Sequence, residues 1–409
     1  MKFDFEHINR LSGKYGSPIY IFDEKAFIDN YYEIRNEFRN IYEKYNIAYS
    51  YKTNYTPYIA NVVKKLGGYA EVVSGMEYYI AKHLGYNDDM IIFNGPNKGG
   101  AGIEAFLNGC IINIDSLDEL EQYCNIASKN KNRNFELGIR VNIDVGQDFI
   151  SRFGIDIDDV ARAFEVVKSF KNLKIVGLHC HISRCRGIFA WKKRAEIMLE
   201  LADQFFTQPP KYIDLGSGMF GNMEESLARQ FENVPSYKEY AETVAGVFSE
   251  HYKNITIDKK PWLFTEPGTT LVNKYVDFIG KVETIKKIRG KHFAVLNCSI
   301  HNLGETCLLK EIPMEVISSN EVPENYENID FTGYTCLEQD VMRKNYTGEL
   351  NIGDYVKFGN VGGYSNVLKP PFICPNCAMI AINTEGKDVL IKTPESFDDL
   401  LHTYVFEKE

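Results

Sequence analysis

From Ile47 onward, short apolar runs alternate with segments whose apolar residues recur at helical spacing. The runs are Ile47–Lys52, Tyr69–Val73, Met90–Phe93, Ile111–Ile114, Phe135–Asn142, Lys174–Ile182, Tyr212–Leu215 and Trp262–Thr265. Between them, segments such as Met76–Leu84 and Leu117–Ala127 show the period of an amphipathic helix. Ser116 stands three residues before Glu119, a capping-box pattern that starts the second of these. Eight strand-then-helix units therefore run from about residue 47 to 272. Parallel strands in that number close most naturally into a (β/α)8 barrel, with an open doubly wound sheet as the alternative. After about Lys274 the texture changes to alternating runs separated by turns: Val276–Ile285, His292–Leu296, Asp354–Phe358 and Met379–Ile382. These predict an all-β domain. The early strand Ile19–Phe22 precedes the first barrel unit and is expected to pair with that domain. The expected organisation is a barrel over 27–272 and a C-terminal β domain, 273–409, completed by residues 1–26.

Composition narrows the class. The chain has 409 residues, with 46 basic against 56 acidic side chains and a formal charge of −10. That balance argues against a nucleic-acid or anionic-membrane partner, which needs a clustered basic footprint. Asp4 and Glu6 interrupt the N-terminus where a secretory segment would be apolar. No apolar stretch approaches the roughly 20 residues of a membrane span. Nine cysteines, an odd number, read as reduced thiols in a cytoplasmic protein.

Barrel enzymes place their chemistry at the C-terminal ends of the strands. The polar residues found there are Lys52, Glu71, Arg140, His179, His181, Gly216-Ser217-Gly218 and Glu266. A lysine held in a barrel mouth is desolvated and can serve as a nucleophilic amine. The glycine-rich turn after the seventh strand is suited to gripping phosphate with backbone N–H groups. Glu266 ends the eighth strand in Thr-Glu-Pro-Gly. A phosphate grip, a Schiff-base lysine and a carboxylate are together what pyridoxal phosphate requires. Plainer readings stand beside this one. His179 and His181 lie two apart on a strand and face one way, so with Cys185 they form three of the four ligands of a zinc site, the fourth unassigned. Cys374-Pro-Asn-Cys377 is a single CxxC without a second pair, and Arg140 and Arg152 read equally as structural ion-pair residues.

The order of motifs adds a resemblance that runs nearly end to end. It passes through Gly16-Ser-Pro-Ile-Tyr-Ile-Phe-Asp, Tyr51-Lys-Thr-Asn, Glu71-Val-Val-Ser-Gly, Arg152-Phe-Gly and His179-Cys-His-Ile. It continues through Asp214-Leu-Gly-Ser-Gly, Glu266-Pro-Gly, Cys336-Leu-Glu-Gln-Asp and Gly362-Gly-Tyr. In these the chain resembles the pyridoxal-phosphate-dependent decarboxylases of the alanine-racemase fold (fold type III), the group of diaminopimelate, ornithine and arginine decarboxylases. The resemblance implies that Lys52 carries the cofactor, with Glu71 close by and His181 against its ring. It implies that Glu266 partners the pyridine nitrogen, while Gly216, Ser217, Gly218 and Tyr364 hold the phosphate. It also implies a homodimer with shared sites, in which Cys336 is the proton donor and Glu338, Asp340 and Phe372 meet the substrate.

Four departures bear on the substrate. Leu337 follows the cysteine where the family commonly has an acid, and Thr269 follows Glu-Pro-Gly where an arginine is usual. Ser183-Arg184 replaces the usual Gly-Ser, and Asn297-Cys-Ser-Ile-His-Asn lacks the arginine-proline of diaminopimelate enzymes. They predict as substrate a small molecule, an amino acid or amino-acid derivative other than ornithine, arginine or diaminopimelate, and an Arg184 that reaches the phosphate in place of the missing arginine or else points to solvent or substrate. A racemase on the same fold and a non-catalytic carrier of the cofactor are the competing readings. A racemase would use a tyrosine where Cys336 stands, and a carrier would lack the long β domain.

Overall fold

The computed structural model describes residues 1–319 and 322–405, so the expected end of the β domain at 409 lies outside the described residues. The chain divides into two compact units. Asp29–Phe220 and Asn233–Thr270 form one; Met1–Ile28, Gly221–Glu232 and Leu271–Glu409 form the other.

Strand β1 (Ile19–Asp23) belongs to the second unit. The first unit is built on β2 (Tyr45–Ser50), β3 (Tyr69–Val72), β4 (Ile91–Phe93), β5 (Ile111–Ile114), β6 (Phe135–Asn142), a two-residue β7 (Ile155–Asp156), β8 (Leu173–His179), β9 (Tyr212–Asp214) and β10 (Trp262–Thr265). They run β5-β4-β3-β2-β10-β9-β8-β6 in parallel, and β5 pairs with β6 to close the barrel, while β7 hangs on the end of β6. The closed ring settles the barrel over the open sheet. Parallel strands covered on both faces read as continuous apolar runs; every residue of β2 is buried. Two glycines make the ring close-packed. A Cβ at Gly138 would fall 1.9 Å from the Tyr212 hydroxyl, and one at Gly177 would fall 2.2 Å from its ring.

Strand ends differ from expectation where the chain turns into the barrel mouth. β2 stops at Ser50, and Lys52 sits in a 3-10 turn, Tyr51–Thr53. β8 stops at His179, although Cys180 still donates its N–H to the Asp214 carbonyl at 2.9 Å. At Leu117–Lys129, Ser116 caps the Glu119 N–H at 3.2 Å as expected. The Glu119 carboxylate departs from the box: it accepts from the Asp115 N–H at 2.7 Å and pairs with buried Lys98 at 2.8 Å.

The second unit is a mixed sheet of β11 (Val276–Ile288), β12 (Lys291–Leu296), β13 (Met314–Ile317), β14 (Glu324–Thr332), β15 (Val341–Leu350), β16 (Tyr355–Phe358), β17 (Ala378–Ile382) and β18 (Asp388–Lys392) together with β1. As expected, β1 joins it, antiparallel to β11 with Ile19 opposite Ile279 and parallel to β17 with Ile19 opposite Ala378. The helix Phe5–Tyr15, capped by Asp4, lays Ile8 and Leu11 on a core that includes Ile21, Tyr355 and Ile380.

Candidate active site

The polar residues expected at the strand ends converge. Lys52 Nζ lies 2.5 Å from Glu71 Oε2 and 2.7 Å from the Ser50 hydroxyl, and that hydroxyl itself bonds the same carboxylate oxygen. The Glu71 side chain is fully buried, while Lys52 keeps 30% of its side-chain surface open, so the amine faces the mouth and its counter-ion faces the protein. Asn94, at the end of β4, joins this pair to the next. Its side-chain amide donates to Glu71 Oε1 at 3.1 Å and to Glu266 Oε1 at 2.5 Å. The Asn113 amide donates to Asn94 Oδ1 at 2.9 Å, and the Tyr212 hydroxyl donates to Asn113 Oδ1 at 2.7 Å. This chain fixes which end of Asn94 meets the carboxylates.

Glu266 also lies 3.4 Å from His179 Nε2 and 3.5 Å from His181 Nδ1. Burial alone would raise its carboxyl. The charge and hydrogen bonding of His179, with the charge of Lys52 behind them, outweigh that and hold it well below the usual carboxylate range. Its neighbour Asp214 goes the other way: burial, then the charge of Glu266, push it well above that range. Burial chiefly pulls the His181 imidazole down to about 3. The ring is therefore neutral, with Nδ1 accepting the Ser217 N–H at 3.1 Å. His179, Asp214 and Glu266 are the metal-capable groups that gather here, instead of His179, His181 and Cys185.

The glycine turn after β9 follows directly. Gly216 (φ +67°) and Gly218 (φ +105°) adopt left-handed backbone, and a Cβ at either would fall within 2.5 Å of the Cys180 or Ile182 carbonyl. Gly216 donates to Asp214 Oδ1 at 2.9 Å and accepts from the Glu266 N–H at 2.8 Å, which ties the turn to the end of β10. Arg184 does not enter this turn's hydrogen bonds; it is exposed, its guanidinium 5.5 Å from the Phe149 ring centroid. The arginine that grips the turn is Arg194, discussed below. Arg140 pairs with Asp115 at 3.5 Å and lies 4.8 Å from the Phe153 ring centroid, and Arg152 lies over the same ring at 4.1 Å.

The second unit carries the remaining expected residues. Cys336 and Glu338 are exposed, Phe372 is 37% exposed beside His301, and Tyr364 holds a positive φ of 55°. Asp340 turns inward. It is buried, with Oδ1 accepting from the Ile300 N–H at 2.7 Å and Oδ2 from the Thr335 N–H and hydroxyl at 3.2 and 2.7 Å. Those three bonds hold the Thr335–Asp340 turn against Ile300.

The residues at the barrel mouth fit pyridoxal phosphate: an amine with a buried counter-ion, an ionised buried carboxylate, a neutral imidazole, and a turn whose shape admits only glycine. Comparison with known proteins agrees. The model of the pyridoxal-dependent decarboxylase pyridoxal-binding domain matches residues 29–273, and that of the family's C-terminal sheet domain matches 269–362. The diaminopimelate decarboxylase of Aquifex aeolicus is 25% identical over 96% of this chain and 92% of its own length. That of Bacteroides thetaiotaomicron is 27% identical over 88% and 93%. The crystal structure of diaminopimelate decarboxylase from M. jannaschii shares the fold with a TM-score of 0.84 at 23% identity, covering 97% of this chain and 94% of that one. These likenesses lend no support to a racemase, and the sheet-domain match runs against a single-barrel carrier. Among the described residues no helix is long and apolar enough to cross a membrane. The chain belongs to the pyridoxal-dependent decarboxylase family, and its cofactor is pyridoxal 5′-phosphate.

Proposed function

We propose that this decarboxylase releases CO2 from Cα of an amino acid that carries a second acidic group, with diaminopimelate the first substrate to test. The observation that carries the reading is the Asn94 bridge, which holds the carboxylate beside Lys52 and the ionised Glu266 in one buried network. Lys52 Nζ is the attachment amine, and Glu71 and Ser50 aim it. Glu266 accepts a hydrogen bond from a protonated ring nitrogen. His181, kept neutral, covers a ring face without adding charge. The turn Gly216–Gly218 takes the phosphate through the Gly218 N–H and the Ser217 side chain, since the Gly216 and Ser217 N–H groups are already given to Asp214 and His181. When bound, pyridoxal phosphate supplies an electron sink for the charge left on Cα as CO2 departs. Cys336 then delivers the proton that replaces CO2. Because Cys336 is exposed, the working form on this reading is a homodimer in which one copy's thiol serves the other's site, with Glu338 and Phe372 meeting the distal end of the substrate.

Two observations support a distal acid. The relatives described above are named diaminopimelate decarboxylases, against the expectation drawn from Leu337, Thr269 and Arg184 that the usual substrates are excluded. In the barrel unit, Arg152 lies in the loop after β6 and Arg184 and Arg186 in the loop after β8, each held over a phenylalanine ring. Such a cationic rim suits a distal end that includes a carboxylate over one that is ammonium or guanidinium alone. The test is CO2 release from a panel of diaminopimelate, lysine, ornithine, arginine and acidic amino acids. The highest kcat/KM on diaminopimelate is expected; ornithine or arginine in first place would refute the distal-acid reading.

A further inference from the structure

Behind the glycine turn lies the helix Ile188–Phe205, and its first turns hold the turn's carbonyl groups. The Trp191 indole N–H donates to the Gly218 carbonyl at 3.3 Å. One terminal nitrogen of Arg194 donates to the Leu215 and Ser217 carbonyls at 2.8 and 2.7 Å, and the other donates to the Ile182 carbonyl at 3.1 Å. Arg194 is fully buried, its guanidinium 4.1 Å from the Trp191 ring centroid. No carboxylate pairs with it among the described residues; its partners there are carbonyl oxygens alone. A buried cation without a counter-ion is costly and is seldom found without a compensating anion nearby.

The geometry of the turn points to where that anion goes. In a trans peptide the C=O and N–H point to opposite sides. With the Ser217 and Gly218 carbonyls drawn back toward the helix, the N–H groups of Gly218 and Met219 point away from it. Neither N–H has an acceptor among the described residues. Two free amides in front and a guanidinium behind, paired with no carboxylate and balanced only at a distance by Glu266, make a half-built anion site. Thr269, which follows Glu266-Pro-Gly, brings no charge to the turn.

We propose that Arg194 is a positioning residue for the cofactor phosphate, locking the turn with its amides forward and supplying from behind the positive charge that Thr269 does not. This rests on the reading that the phosphate sits at Gly216–Gly218. The test compares the affinity of apoprotein for pyridoxal phosphate with that for pyridoxal, which lacks the phosphate, in wild type, Arg194→Met and Arg194→Lys. Wild type should prefer the phosphorylated form. In Arg194→Met the preference should fall by about 10- to 100-fold, the scale of hydrogen bonds to a charged group, with pyridoxal affinity changed less than about threefold. Arg194→Lys, which keeps the charge but loses the forked grip, should recover part of the preference. An unchanged preference in Arg194→Met, or an equal loss for both ligands, overturns the proposal. If Arg194→Met fails to fold, Arg194→Lys decides: a partial loss of preference supports the proposal and an unchanged preference overturns it. A wild-type apoprotein that binds both ligands equally would instead refute the placement of the phosphate, and this inference with it.

Discussion

The two ends of the barrel are built from opposite materials. At the C-terminal ends of the strands, Glu71, Asn94, Asp115, Arg140, His179 and Glu266 are all buried and polar. At the N-terminal ends, Ala48, Ile92, Tyr212 and Phe264 pack with Tyr69, Ile111, Val176 and Trp262 into an apolar layer. The apolar end also holds a cavity of about 470 Å³, lined by Tyr69, Phe106, Tyr212, Trp262 and Phe264 among others, yet none of the candidate catalytic groups reaches it. Volume alone is therefore a poor guide to function here. Buried polar groups must be satisfied by one another, which fixes their positions as a set. Apolar groups need only fill space, so one end specifies chemistry and the other stability. Tyr212 spans the difference: its ring fills the gaps left by Gly138 and Gly177, and its hydroxyl begins the chain that orients Asn94.

The comparison breaks first at Lys52. Lys52→Ala should abolish covalent attachment of the cofactor and with it essentially all turnover. Borohydride reduction of the wild-type holoenzyme should leave a pyridoxyl group on Lys52, and a labelled peptide from elsewhere would sink the assignment. Cys336 comes next. Cys336→Ala should bind cofactor normally and lose about 10²–10⁴-fold in decarboxylation, the range of a general acid. Unchanged turnover with unchanged product removes the thiol from the mechanism, and an active monomer in sedimentation removes the shared site.

The apolar end should respond in stability alone. Gly177→Ala drives a methyl into the Tyr212 ring, which is held by the hydroxyl's bond to Asn113. Overpacking of this kind should cost about 3 kcal/mol, read as a fall in denaturation midpoint, while cofactor affinity of the folded fraction stays within about threefold. A larger loss of cofactor affinity than of stability would show that the two ends are not separable.

What was legible in the sequence follows the same division. Lys52, Glu71, His181 and Glu266 could be read because residue type and strand-end position each narrow the choice. Asn94 meets the positional criterion equally well, but an amide neither titrates nor attacks, and nothing in its chemistry flags it. Arg194 sits in Trp191-Lys-Lys-Arg, a run that reads as solvated charge; its spacing of three from Trp191 is the signal that would have turned it inward. In the sheet unit, β14 and β15 escaped the search because most of their residues are exposed or half-buried and carry no apolar alternation. The direction of a side chain was not legible at Arg184 or Asp340: Arg184 lies exposed over Phe149, and Asp340 turns inward to Ile300 and Thr335.

The smallest expected effect sharpens the comparison through pH. Glu77 begins the helix after β3, as Glu119 does after β5. Each accepts the N–H of the residue before its serine cap, Val73 at 2.8 Å and Asp115 at 2.7 Å. Burial raises both carboxyls, but Lys98 lies against Glu119 and opposes the rise there, whereas Glu77, pushed up to about 7, has only Lys52 opposing weakly. Between the ordinary glutamate value and 7, the folded apoprotein carries a proton on Glu77 that the unfolded chain does not. Raising pH through that window therefore favours unfolding. At roughly 1.4 kcal/mol per pH unit, the stability lost between pH 5 and 7 is about 2 kcal/mol. Glu77→Gln, neutral throughout and still able to accept the Val73 N–H, should flatten that slope and be more stable than wild type at pH 7.5. Glu119→Gln should do the reverse, destabilising the apoprotein at every pH by leaving Lys98 buried without its partner. Denaturant titrations at pH 5, 6, 7 and 8 separate the two, and an unchanged slope in Glu77→Gln would place the pH sensitivity elsewhere in the polar end, in Asp214, whose carboxyl is also raised.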